Sequence, residues 1–238
     1  MSLTVIYRLS DNGYPKEKFA FATKRYCLEN FLESFSASQI QLLVDDTNLK
    51  PETYAWIKEM HDKNEFGKFL IHSAGSSAGS WRKAWDRVGE LALAETDYVY
   101  FVEDDYLHRP GSQKILMEGL AKGEYVSLYD HKDKYIPAAM GGNKYIGEDA
   151  TEETRVALTE SSHWKLTNST TMTFATSLGT LKEDALIWKK WTLGSYPHDF
   201  NAFIELRQKG RSLITPMPGW STHCEPKWAA PLINWEIV

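Results

Sequence analysis

Hydrophobic and polar positions along residues 1–105 follow two alternating periods. Short β-branched and aromatic runs, Leu3-Thr4-Val5-Ile6-Tyr7, Gln41-Leu42-Leu43-Val44, Phe69-Leu70-Ile71 and Tyr98-Val99-Tyr100-Phe101-Val102, have the length and composition of strands. Between them apolar residues recur at helical spacing. Phe19, Ala22, Tyr26, Phe31, Leu32 and Phe35 predict a helix over 16–35. Tyr54, Ile57 and Met60 follow Pro51, which suits a helix start. Trp81, Ala84, Trp85, Val88, Leu91 and Ala92 share one face behind Ser80, a favourable N-cap. Alternation of strand and helix predicts βα units in a mostly parallel central sheet flanked by helices.

The pattern loosens from residue 111 onward. Residues 112–120 predict a helix, 125–129 a strand, and 163–175 one or two antiparallel strands, with the clearest alternation in Thr171-Met172-Thr173-Phe174. The stretch 130–151, with Pro137 and Gly141-Gly142, reads as a long loop able to fold over a ligand. Helices are expected over 182–191 and again behind Pro197-His198-Asp199, where Phe200, Phe203, Ile204 and Leu206 are available for packing. Ser212-Leu213-Ile214 reads as a last short strand before an irregular tail containing Pro216, Pro218 and His223. No repeat, low-complexity tract or linker divides the chain, which points to a single α/β domain over 1–238.

In parallel sheets ligands bind beyond the carboxyl ends of the strands. Here each predicted strand of the first half runs into polar residues: Arg8 to Asp11, Asp45-Asp46, Ser73 to Ser80, and Glu103-Asp104-Asp105. Consecutive acids repel one another and resist desolvation, so they require water, hydrogen-bond donors or a cation, and a divalent metal satisfies them best. Strand alternation would send Glu103 and Asp105 one way and Asp104 the other. A capped turn gives the same local pattern, but four polar strand ends on one edge favour a ligand site. The Gly75 to Gly79 loop lets backbone approach a ligand, and the following helix start favours phosphate. It lacks the Gly-Lys-Ser/Thr ending of a P-loop and contains no G-x-G-x-x-G.

A net charge of -5 argues against nucleic-acid binding through a broad basic surface. Nine Trp and twelve Tyr offer rings that suit sugars or bases as well as cores. Two cysteines and the lack of a cationic start with an apolar h-region point to a reduced, cytoplasmic protein. Asn168-Ser169-Thr170 fits a glycosylation sequon, read here as an ordinary polar stretch. No apolar run approaches the roughly 18 residues of a membrane span, so any membrane association would be peripheral.

The order and spacing of these pieces resemble a GT-A glycosyltransferase of the broad family 2 type over nearly the whole chain. The residues that carry the resemblance are Glu103-Asp104-Asp105 at the DXD position, Val44-Asp45-Asp46 upstream, His198-Asp199 opening a late helix, and His223 near the end. The resemblance implies one Rossmann-like domain, with 1–110 as the nucleotide-binding half. Residues 111–238 would form an acceptor-binding half with a smaller antiparallel part and a C-terminal tail. It implies Mn2+ or Mg2+ on Asp105 and His223, Asp104 toward the ribose or donor sugar, and Glu103 in support. Asp45, ahead of Asp46, would meet the base or ribose; Arg8 and Ser10 would contact the nucleotide; and Arg82 would reach phosphate or sugar. Asp199 would be the catalytic base, with Glu183 and Asp184 as fallbacks. The implied activity is inverting, hexosyltransferase-like transfer from a nucleoside diphosphate sugar, first a UDP-sugar, to a glycan or other acceptor hydroxyl. A nucleotidyltransferase on a related fold, or a non-catalytic nucleotide- or sugar-binding module, is the alternative. The former usually carries a Gly-rich, basic loop directly after the first strand, which Ser10-Asp11-Asn12-Gly13 is not.

Overall fold

In a computed structural model, which describes residues 1–12, 16–168 and 170–238, the predicted βα alternation forms one side of a nine-stranded sheet. Strands β1 (Leu3–Ser10), β2 (Ile40–Asp45), β3 (Lys68–His72) and β4 (Tyr98–Glu103) are mutually parallel in the order β3-β2-β1-β4. Helices α1 (Lys24–Leu32), α2 (Pro51–Asp62) and α3 (Ser77–Glu90) connect them. The sheet is covered on both faces, which explains the near-continuous apolar runs. Val5, Tyr7 and Leu9 pack with Phe31, Phe35 and Ile57 on one face, while Ile6 joins Trp81, Val88 and Phe101 on the other.

Beyond β4 the sheet becomes mixed. After β5 (Tyr106–His108) and α4 (Ser112–Leu120) come β6 (Tyr125–Val126), β7 (Val156–Leu158), β8 (His163–Thr167) and β9 (Phe174–Ser177). Helices α5 (Leu178–Glu183), α6 (Ala185–Trp191) and α7 (Asp199–Gln208) precede β10 (Leu213–Met217) and β11 (Ser221–His223). The order continues β4-β9-β6-β10-β8-β7, with β9 and β8 antiparallel to their neighbours. β5 and β11 form a separate antiparallel pair. The glycosylation sequon and the turn after β1 each include a residue outside those described, Ser169 and Gly13.

Several local expectations are corrected. The first helix begins at Lys24, not Lys16, because Thr23 caps it by accepting from Tyr26 N at 3.1 Å. Residues 16–22 instead run beside the end of β11, where Phe19 N donates to Cys224 O at 3.0 Å, with the Phe19 and Phe21 rings stacked at 5.4 Å. The N-cap of α3 is Ser76, which accepts from Gly79 N at 3.0 Å, while Ser80 lies inside the helix. Of 125–129, only Tyr125–Val126 is strand. The helix expected over 182–191 is broken at Asp184, whose backbone (φ -98°, ψ 7°) separates α5 from α6.

Asp184 is fully buried and consumed by structure. It accepts from Tyr125 Oη at 3.0 Å, pairs with Lys209 Nζ at 2.7 Å and with Arg211 Nε at 2.9 Å. A carboxylate so engaged has no free oxygen for a substrate proton, so it is no reserve base. Glu183 pairs with Arg211 outside it. Truncating one partner of a buried ionic cluster leaves the others uncompensated, typically at a cost of about 3 kcal/mol. Asp184→Ala is therefore expected to lower stability by about that amount in urea denaturation. A loss under about 1 kcal/mol would show that the cluster does not anchor the junction of α5, α6 and β10.

Candidate functional site

The register of the parallel strands sets the floor of the site. β1 pairs Arg8 with Glu103 on β4 and Ser10 with Asp45 on β2, so three strand ends deliver polar side chains to one line. The Arg8 guanidinium meets Glu103 Oε1 at 3.0 Å, donates to Met172 O and lies over the Trp81 ring at 5.8 Å. Burial pushes the Glu103 carboxyl up, and Arg8 opposes that shift. Above this pair is a cavity of about 480 Å3, walled by Ser10, Asp45, the Gly75 to Ser77 turn with Ser80, Asp104, Asp105 and His223. Lys16, Lys18, Lys24, Ser195 and Tyr196 complete it.

The three acids do not alternate as an extended strand would, because β4 stops at Glu103 and Asp104-Asp105 form a turn into β5. All three consequently line the cavity. Asp104 Oδ2 accepts from Ser10 N at 2.7 Å and pairs with Lys24 Nζ at 2.6 Å, while Lys24 also donates to Ser10 O. Asp105 Oδ2 meets His223 Nε2 at 3.0 Å and Lys18 Nζ at 2.8 Å. Its Oδ1 is buried without a hydrogen-bond partner. Burial alone would raise the Asp105 pKa, but the charges and hydrogen bonds of His223 and Lys18 outweigh it and hold the carboxyl well below the usual range.

His223 reaches Asp105 from an ordered strand, not from an irregular tail. β11 pairs with β5 so that His223 lies opposite Tyr106, and Cys224 N donates to Asp105 O at 2.9 Å. Its Nδ1 faces Glu225 Oε1 at 3.3 Å. Burial opposes protonation of this ring, yet Asp105, Glu103 and Glu225 together raise its pKa.

Asp45, 2% exposed, uses Oδ1 to accept from Thr47 N and Ala74 N at 3.1 and 3.0 Å. Ser10 Oγ approaches its Oδ2 at 3.5 Å, and both residues line the cavity. Asp46 is occupied by Ser73 Oγ at 2.7 Å. Arg82 is not in the cavity: it donates to Thr192 O and Gly194 O, fastening α3 to the loop after α6. It borders a separate, more apolar cavity with Trp85 and Leu186. Asp199 is the first residue of α7 behind His198 at the cap position, and it does not line the 480 Å3 cavity. Burial, then the charge of Glu103, pushes its carboxyl up to about 7, so it lies within electrostatic reach of the Arg8 pair.

Asp105 and His223 suit a hard or borderline divalent ion, because a buried carboxylate oxygen without a partner is the kind of donor such an ion satisfies. No group of three or more His, Cys, Asp or Glu assembles as a metal cage among the described residues. An ion held here would draw the rest of its shell from ligand oxygens and water. The residues that sequence reasoning missed are Lys16, Lys18 and Lys24. A period-2 signal was present, since Phe19 and Phe21 alternate with Lys18 and Ala20, but Ala22 and Tyr26 extended the helical spacing back through it.

No protein-family model matches the sequence, and no curated protein matches it. Solved structures do. A structure of GalNAc-T7 with UDP, GalNAc and Mn2+ superposes on 93% of this chain with a TM-score of 0.61 at 12% identity. S. aureus TarS 1-349 in complex with UDP superposes on 90% with a TM-score of 0.52 at 12% identity, and a longer S. aureus TarS structure gives 0.51. This chain spans 43%, 57% and 35% of those three chains, respectively. The fold is that of the GT-A glycosyltransferases.

The raised pKa of His223 has a stability consequence. Its charge contributes fully below the ordinary histidine pKa of about 6.5, provided Asp105 stays ionised, and is lost as pH rises through the folded-state value. The stability gap between the parent and His223→Gln is therefore expected to be larger near pH 5.5 than near pH 9 in urea melts. A pH-independent gap would mean that folding leaves the imidazole pKa unshifted.

Proposed function

We propose that the chain is a metal-dependent glycosyltransferase that moves a sugar from a nucleoside diphosphate sugar, first a UDP-sugar, to an acceptor hydroxyl with inversion. The observation that carries the reading is the Asp105–His223 pair, with its orphaned carboxylate oxygen, at the end of the strand beside Arg8, Ser10 and Asp45. The UDP found with two structural neighbours, and the Mn2+ found with one, support the same ligands here. Asp45 offers its second oxygen to the base or ribose, Ser10 and Arg8 border the nucleotide, and Asp104 faces the ribose or sugar. When bound, Mn2+ or Mg2+ on Asp105 and His223 supplies positive charge for the departing diphosphate.

Asp199 accepts the proton of the attacking acceptor hydroxyl. A carboxyl with a pKa near 7 is well matched to general-base work near neutrality, and Glu103, the second cause of that shift, stays paired with Arg8. Phe200 beside it stacks on Tyr145 at 6.1 Å, with Lys144 Nζ 5.0 Å from the Phe200 ring. The exposed Tyr145 ring and the half-buried Phe200 ring offer an acceptor a face to lie on. One observation favours a second reading, nucleotidyl transfer: Lys16 and Lys18, shortly after β1, reach the cavity as a basic loop would.

Release of UDP from UDP-glucose or UDP-galactose tests the first reading, and pyrophosphate release from a nucleoside triphosphate with a sugar 1-phosphate tests the second. UDP release without pyrophosphate release is expected; the reverse result would replace the first reading by the second. Asp199→Asn should cut transfer by about 10²–10⁴-fold while UDP affinity stays within about twofold. Full activity in that variant would remove Asp199 from the mechanism. Because the base must be ionised, kcat/KM should rise with pH through about 7. A profile that is flat across that range would contradict the assignment.

A further inference from the structure

Lys18 enters the cavity from a segment whose path is fixed. Phe19 N donates to Cys224 O at 3.0 Å, directly beside β11, and the stacked Phe19 and Phe21 rings continue edge-on into Tyr26 of α1. Held between the last strand and the first helix, Lys18 places Nζ 2.8 Å from Asp105 Oδ2, the same oxygen that His223 approaches at 3.0 Å. A divalent ion on Asp105 and His223 would therefore meet an ammonium already pressed against its carboxylate ligand. Lys24 repeats the arrangement on Asp104 at 2.6 Å. The Lys18 side chain is 30% exposed, on a flexible four-carbon stem, so its head is free to exchange partners.

We propose that Lys18 is the resident cation of this site. It neutralises Asp105 when no divalent ion is present, transfers its ammonium to the diphosphate of an entering nucleotide, and competes with a divalent ion for the Asp105 carboxylate. The competition follows from geometry alone, since two cations at one carboxylate repel each other. The diphosphate role rests on the donor reading above, because only an anionic ligand with several oxygens compensates the ammonium for leaving Asp105.

Titration of Mn2+ alone into the full chain, followed by the electron paramagnetic resonance of the free ion, tests the competition. Lys18→Met should bind Mn2+ roughly tenfold more tightly than the parent, Lys18→Arg should bind it like the parent, and adding Asp105→Asn to Lys18→Met should abolish the gain. Unchanged or weaker Mn2+ binding by Lys18→Met would overturn the proposal. Lys18→Gln gives the same neutral test if the methionine variant fails to fold. Calorimetric titration of UDP in the presence of a chelator tests the second role. The parent should bind, and Lys18→Met should bind roughly tenfold more weakly; equal binding by both would overturn that role. If the parent binds no UDP with or without Mn2+, the donor reading falls together with the diphosphate role. The Mn2+ titration would still decide what Lys18 does at Asp105.

Discussion

Three carboxylates gathered at one strand end must each find positive charge, and this requirement organises the site. Glu103 takes Arg8 from the neighbouring strand, Asp104 takes Lys24 from α1, and Asp105 takes His223 and Lys18 from the last strand and the first loop. Without these partners, burial would drive Glu103 and Asp105 toward their neutral forms. Four segments distant in sequence are thereby drawn to one point. The antiparallel β5–β11 pair has a matching role, since it brings the end of the chain back across the opening of the parallel sheet.

The second half of the chain is held together by a different device. The 130–151 region is not a free loop: Lys165 on β8, almost fully buried, meets Asp130 at 3.0 Å and Glu152 at 3.1 Å, which fastens both ends of the stretch to the mixed part of the sheet. Between those anchors run short 3-10 turns at Lys132–Tyr135 and Ala138–Met140, and Tyr145 stacks on Phe200 of α7. Movement of this region over a ligand would have to occur between two fixed ends.

Much of the parallel half was legible because burial on both faces leaves strong apolar runs, and because polar residues follow each of them. The strand ends at Arg8, Asp45 and Glu103 could be read in that way. What escaped reading lacked a burial signal or carried a misleading one. β7 is an edge strand with Val156 and Leu158 71% and 64% exposed, so it leaves no alternation. The break at Asp184 depends on Tyr125, Lys209 and Arg211, residues remote in sequence. Lys18 and Lys24 were hidden inside a helical spacing that begins too early, and Arg82, placed by sequence at a helix start near phosphate, is turned to Thr192 and Gly194 by tertiary contacts. The order of acidic and histidine residues was visible, whereas their cationic partners depended on how the chain folds back.

The central claim is that the cavity at the ends of β1, β2 and β4 takes a nucleoside diphosphate. Thermal unfolding with UDP, GDP, CDP and dTDP, each with Mn2+, tests it most directly, because a ligand that binds only the folded chain raises its melting temperature. At about 100 times the Kd, UDP should raise the parent by about 5–10 °C and leave Asp45→Ala much less affected. No shift with any of the four nucleotides, or an equal shift in Asp45→Ala, would contradict the account.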